Sequence, residues 1–235
     1  MPSDDYLSRV GGIGAILGVI VLVAATMLHP MNAHPSDAEA AFAEYALDRY
    51  WVATHLGQLV GAVLIASGFV SLSWKLRAGR AGAWAFLAGF AAVASMSLAA
   101  ALQAVDGVAL KFMVDRWSSA APEARAAVFE AAFGVRQIEI GLASLMEAFF
   151  GLTVILYGVA IVFSSTAPRW LGIFAVLGGA AMLTSSVVQA HTGFTDIATG
   201  MTMPSTLLVL LWCICVGVFL LRSAGSVDHA ARQRG

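Results

Sequence analysis

Charged residues and cysteines are both scarce in this sequence. Charged residues make up 11% of the 235 residues and apolar residues 60%, whereas soluble domains carry about 25% charged residues. The formal net charge of −1 provides no basic or acidic field that would attract nucleic acid. The 2 cysteines cannot form a disulfide framework. The composition therefore excludes a disordered chain, a nucleic-acid-binding protein and a conventional cytosolic enzyme.

Long apolar stretches dominate the chain instead. A helix that crosses a bilayer needs about 20 predominantly apolar residues. Six stretches reach that length: 10–28, 52–74, 83–105, 135–163, 170–190 and 204–221. The sixth follows a Gly/Thr-rich stretch that ends at Pro204, which we interpret as a break. The rest of the chain is too scattered to form a separate soluble domain. We therefore predict an all-α polytopic transmembrane helix bundle that forms a single membrane domain over residues 1–235.

Tryptophans lie at or near the ends of the predicted spans. Aromatic side chains of this kind are typical of the membrane–water interface. The residues are Trp51, Trp74, Trp84, Trp117 and Trp170.

Small residues recur at helical spacing within the spans. Gly14 and Gly18 form a Gly-xxx-Gly pair in the first span, and Gly57 and Gly61 form another in the second. Lipid gives helices no hydrophobic reason to associate, so close packing depends on such small residues. The pairs predict a tight bundle without specifying which helices meet.

The basic residues are unevenly divided between the two faces of the membrane. Eight of the 13 Lys and Arg residues fall on the side of the termini and five on the other side. Basic loops favour the cytoplasm, so both termini are predicted to be cytoplasmic.

Two segments on the opposite side are predicted to form short amphipathic helices. Residues 36–48 offer Ser36 as an N-cap with Glu39 three residues later. Residues 119–134 begin with Ser119 and Pro122 and carry an apolar stripe at helical spacing. We expect both helices to lie on the outer face, and we prefer to interpret them as ordinary amphipathic connectors.

Polar residues cluster at one depth within the spans. His55 lies about 6 Å below the predicted outer interface, and Gln58 lies one turn deeper. Glu139 and Glu147 share one helical stripe with Arg136. An ionisable group inside the membrane is by default a hypothesis about function. We therefore predict a polar chamber that opens to the outside, with Glu147 as its floor. The candidate residues from the spans are His55, Gln58, Gln103, Asp106, Arg136, Glu139, Glu147 and Gln189.

A metal or haem site is a second interpretation of the same residues. His29, His55 and His191, with Asp106 or Glu139, provide the ligand types of a zinc or non-haem iron centre, and two of the histidines could bracket a haem. No short ligand spacing supports either site. Ordinary polar packing between helices is the alternative, because His55 and Gln58 could simply bond to backbone carbonyls.

Several stretches resemble a known family. They are Tyr50–Gln58, Ala104–Lys111, Arg136–Gly141 and Pro168–Gly172. In these stretches the chain is similar to an uncharacterised family of bacterial, mainly actinobacterial, multipass membrane proteins of unknown function. The resemblance implies a six-helix protein of the bacterial inner membrane, and it places Lys111 with His55, Asp106, Arg136 and Glu139.

Three functional hypotheses follow. The first is a protein that binds a small amphipathic molecule, a lipid headgroup or a metal ion in the chamber. The second is a membrane-embedded metal-dependent hydrolase acting on lipid. The third is a structural or accessory subunit whose polar residues serve only helix association. In each case the lipid bilayer is the surroundings and nucleic acid is not a partner.

Overall fold

The structure is a computed structural model that describes residues 4–232, with side chains described over residues 4–224. These residues form eight α-helices, one π-helical segment and no strands. The elements are α1 Asp4–Thr26, α2 Ala38–Leu47, α3 Trp51–Lys75, α4 Gly79–Leu102, the π segment Gln103–Leu110, α5 Lys111–Ser118, α6 Pro122–Phe163, α7 Arg169–Thr192 and α8 Asp196–Arg232. Six helical stretches are long and apolar enough to cross a membrane. The predicted all-α, six-span bundle is confirmed.

The helices run antiparallel, which gives the bundle two distinct ends. At one end Asp4 of α1 pairs with Arg77, just beyond α3. At the other end α2 lies between α1 and α3 in sequence, and α5 and the first turns of α6 lie beside it. We call the end with Asp4 and Arg77 the terminal end, and the end with α2 the lid end.

Three helices extend beyond the predicted spans. α4 continues through the π segment into α5, so the third spanning stretch covers Gly79–Ser118. α6 has 42 residues, a length of about 63 Å, and joins the predicted outer helix 119–134 to the fourth span. α8 begins at Asp196 and runs through Pro204, so the predicted break is wrong. A membrane helix tolerates an internal proline because neighbouring groups satisfy the freed carbonyl.

The predicted glycine pairs meet in one interface, between α1 and α3. A Cβ built on Gly18 would lie 2.6 Å from the Gly61 carbonyl oxygen, and one on Gly61 would lie 2.7 Å from the Leu22 nitrogen. The α6–α7 interface has the same construction at Gly151 and Gly179. Backbones therefore approach each other directly, as close packing in lipid requires.

Two apolar clusters lie along the bundle axis. The larger one occupies the centre and the terminal end, where Tyr157 and Trp212 are fully buried. Tyr157 donates a hydrogen bond to the Phe69 carbonyl at 3.0 Å, and Trp212 donates one to the Leu171 carbonyl at 3.0 Å. The smaller cluster holds α2 against α5 and α6 through Phe42.

The sequence interpretation misplaced two features of the lid end. Trp51 and Trp117 are only 1% and 3% exposed and pack in the smaller cluster, so they are not interface residues. α2 is capped by Asp37, whose carboxylate accepts from the Ala40 amide at 3.1 Å. Ser36 instead bonds to the His34 ring. The two tryptophans are buried because α2, α5 and α6 pack around them.

We expect the substitution Gly61→Ala to destabilise the bundle by about 1–3 kcal/mol, because the added methyl meets backbone atoms that cannot move aside. A lower thermal midpoint in detergent measures this. Gly200→Ala in α8 is the control, since a Cβ there meets nothing within 4 Å. Equal midpoints for the two variants would contradict the packing.

Candidate functional site

The predicted chamber residues separate into two groups at different depths. The first, at the lid end, we call the lid cluster. It consists of His29, Tyr45, Trp51, His55, Asp106, Arg136 and Glu139. The second lines a cavity in the middle of the bundle and includes Gln58, Gln103 and Glu147.

His55 and Asp106 form a buried pair that shares one proton. The Nδ1–H of His55 donates to the Trp51 carbonyl at 2.8 Å, and Nε2 lies 3.0 Å from Asp106 Oδ2. A hydrogen bond at this second position needs one proton, either on the ring or on the carboxyl group. The pair is therefore neutral overall in both arrangements.

The π segment sets the position of Asp106. Its Asp106 carbonyl accepts from the Trp51 indole N–H at 3.0 Å, which fixes the segment against α3. A Cβ built on Gly107 would lie 2.6 Å from the His55 Cβ, so only glycine permits this approach. Single π turns inside longer helices frequently occur at functional sites.

Arg136 contacts several segments of the chain within the lid cluster. It is 4% exposed and pairs with Glu139, one turn further along α6, at 3.2 Å. Its guanidinium also donates to the Pro35 carbonyl at 3.2 Å and to the Tyr45 hydroxyl at 3.4 Å. The Phe194 ring lies 4.8 Å from the guanidinium carbon. One buried cation thus connects α2, the segment before it and the α7–α8 connection.

Stacked rings complete the lid cluster. His29 lies 4.6 Å from the Trp51 ring and 5.2 Å from the His55 ring, between centroids, and Tyr45 lies 4.2 Å from Trp51. Tyr45 is a member that the sequence analysis missed as a site residue. Its place on the inner face of the predicted helix 36–48 was the available signal.

The mid-bundle cavity has a volume of about 320 Å³. Apolar side chains form most of its wall, including Leu22, Phe150 and Val209. Gln103 Oε1 and Glu147 Oε2 are buried and have no hydrogen-bond partner among the described residues. Most buried polar atoms in proteins are satisfied; the other unpartnered ones among the described residues lie on Asp48, Thr54, Asp106 and Thr202, and these two lie in one cavity wall.

Lys111 and Gln189 have other partners. Lys111 donates to the Tyr45 and Ala46 carbonyls at 3.0 and 3.2 Å and to Asp115 at 2.6 Å, so it caps the end of α2. Gln189 donates to the Ser144 hydroxyl at 3.3 Å, between α7 and α6.

The structure does not assemble the candidate metal ligands. Within the described residues, no three His, Cys, Asp or Glu side chains are grouped so that they could hold a metal ion. His29 and His55 lie ring to ring, whereas His191 is exposed at the end of α7.

We expect Glu139→Gln to lower the free energy of unfolding by about 3–5 kcal/mol. The isosteric amide leaves the Arg136 cation buried without an anion, and arginine cannot lose its proton. Thermal unfolding in detergent measures the effect. Glu123→Gln, at an exposed site on the same helix, should leave the midpoint unchanged, and a matching loss in both variants would refute the assignment.

We expect stability to depend on pH through His29. Burial lowers the pKa of His29 below its ordinary value of 6.5 and outweighs the hydrogen bond to the Pro30 carbonyl, which raises it. The unfolded chain then binds the proton more readily, so this contribution is present above pH 6.5 and is lost as the pH falls below it. Comparing thermal midpoints at pH 7.5 and 5 measures the slope. His29→Gln should reduce it and His191→Gln should not; an unchanged slope in His29→Gln would contradict this.

Comparison with known proteins identifies the family but no activity. Residues 10–223 match a family model described as a domain of unknown function, DUF4386. The chain matches no curated protein and no solved structure. The match reaches from the first spanning helix to the last, which confirms the resemblance to a membrane family of unknown function. The chain belongs to the DUF4386 family.

Proposed function

We propose that this membrane protein binds a small amphipathic molecule in the mid-bundle cavity. The observation that carries the proposal is the pair of unpartnered acceptors, Gln103 Oε1 and Glu147 Oε2, in one otherwise apolar cavity. An unsatisfied buried acceptor costs about 1–3 kcal/mol. A ligand whose head group donates hydrogen bonds would recover that free energy, while its apolar body would contact the rest of the wall.

The cavity volume supports a small ligand. The volume of about 320 Å³ lies at the low end of the range for ligand sites, about 300–1,000 Å³. A complete two-chain lipid does not fit such a space. A single short chain with one polar head does.

A groove on the lipid-facing side supports entry from the bilayer. It lies between α3 and α4, has a volume of about 930 Å³, and shares Leu59 and Met96 with the cavity wall. Val70 and Phe86 line the groove and are 62% and 76% exposed, so they face the hydrocarbon of the membrane. A molecule dissolved in the bilayer would therefore enter beside Leu59 and Met96, which line both spaces.

The closed structure of the lid end also favours entry from the bilayer. The lid cluster is covered by α2, and its central residues His55 and Arg136 are 2% and 4% exposed. The outward mouth that the sequence predicts would have to open by displacing α2. The lateral groove needs no such change, so we place the entrance there.

The other hypotheses have weaker support. The hydrolase needs three ligand side chains around one metal ion, and the described residues offer no such group. A purely structural subunit leaves the two unpartnered acceptors without a role, and it becomes one outcome of the experiment below.

We expect radiolabelled octan-1-ol to bind saturably to the protein in nanodiscs, and octane, which has no donor, to bind more weakly by about tenfold. Equilibrium dialysis against empty nanodiscs corrects for partitioning into lipid. Ala99→Phe, which fills the cavity wall, should abolish saturable binding.

The matched control is Ala83→Phe, because Ala83 is exposed on the same helix and lines neither the groove nor the cavity. It should bind octan-1-ol as the natural protein does. Equal uptake by protein-containing and empty nanodiscs would overturn the proposal and favour the structural subunit.

A further inference from the structure

We infer that the ligand carries a positive charge, and that its class is a short-chain aliphatic ammonium compound. This inference rests on the proposed function and narrows it from any hydrogen-bond donor to a cation. It depends on the hydrogen-bond directions in the cavity wall and on the charges that the wall contains.

Each amide in the polar row of the wall donates one N–H group within the protein. Gln103 Nε2 donates to Gln58 Oε1 at 3.3 Å, and Gln58 Nε2 donates to Thr26 Oγ1 at 3.2 Å. Thr26 in turn donates to the Leu22 carbonyl at 2.9 Å. The row therefore runs in one direction and ends at the cavity with a free acceptor, Gln103 Oε1.

The two buried polar atoms of the wall without a hydrogen-bond partner among the described residues are acceptors. Gln103 offers an amide oxygen and Glu147 a carboxyl oxygen. An alcohol has one O–H and can satisfy one of them at a time. An ammonium group has three N–H donors, which is enough for both.

The ionisable residues that line the cavity indicate the same class of ligand. Glu147 is the ionisable side chain of the described lining, which includes no Lys, Arg or His. The nearest basic residue on its own helix, Arg136, lies 11 positions away, about 16 Å along α6, and is paired with Glu139. An ionised Glu147 therefore finds no counterion on the wall, and a cationic ligand would supply one. An anionic head group would instead face two acceptors, one of them on that carboxyl group.

A charge-assisted hydrogen bond is stronger than a neutral one. A primary alkylamine is protonated at pH 7, as a lysine side chain is. Octylammonium and octan-1-ol share an eight-carbon chain and differ only in the head group, so their comparison isolates the charge.

The test measures both probes by equilibrium dialysis with the protein in nanodiscs, against empty nanodiscs at matched pH. We expect octylammonium to bind about tenfold more tightly than octan-1-ol. Glu147→Gln, which keeps the shape and removes the negative charge, should abolish that preference while octan-1-ol still binds. Glu130→Gln, exposed on the same helix, should preserve the preference.

The outcomes separate this inference from the proposed function. Equal binding of the two probes, or an ammonium preference that survives in Glu147→Gln, overturns the cation and leaves an amphiphile site in place. Absence of saturable binding for both probes overturns the proposed function itself. The thermal midpoint of Glu147→Gln shows whether this variant folds. If it does not fold, Gln103→Leu provides the second test, and it should weaken octylammonium binding by removing one of the two acceptors.

Discussion

The structure of the lid end depends on the ion pair and hydrogen bonds that stabilise one buried cation. Arg136 cannot be neutralised by losing its proton, so its burial at 4% exposure requires acceptors on every side. Glu139 provides the charge, and the Pro35 carbonyl and the Tyr45 hydroxyl provide the remaining contacts. These partners come from segments far apart in the chain and meet only when α2 lies on the bundle. The guanidinium therefore links closure of the lid to formation of the fold.

The lid cluster and the mid-bundle cavity differ in how fully their polar atoms are satisfied. In the lid cluster Arg136 has a carboxylate partner and both His55 ring nitrogens have acceptors or shared protons. In the cavity two acceptors, on Gln103 and Glu147, face open space. In the lid cluster Asp106 Oδ1 is also buried without a partner among the described residues, but the charged groups are paired, which a structural role explains. Incomplete pairing beside a void is the arrangement in which a ligand gains the most.

Sequence reasoning succeeded where a local rule decides the structure. Bilayer thickness fixes the six spans, and the Gly14–Gly18 and Gly57–Gly61 pairs follow from the demand for close packing in lipid. The Arg136–Glu139 contact follows from helical spacing, and the structure confirms it. The π segment was not predictable, because no proline marks Gln103–Leu110, the single Gly107 is also compatible with an α-helix, and the register depends on the α3 surface that the segment meets. The burial of Trp51 likewise depends on where α2 packs, which is set by contacts distant in sequence.

Two hydrogen-bonded pairs between α3 and the π segment connect the two sites. His55 pairs with Asp106 in the lid cluster, and Gln58 pairs with Gln103 in the cavity wall. The two pairs are three residues apart on each element, so the lid cluster and the cavity share the same two backbone segments. Gly107 lets the π segment approach His55 closely, since a Cβ built there would lie 2.6 Å from the His55 Cβ. The contact between α3 and the π segment therefore holds both Asp106 and Gln103 in place.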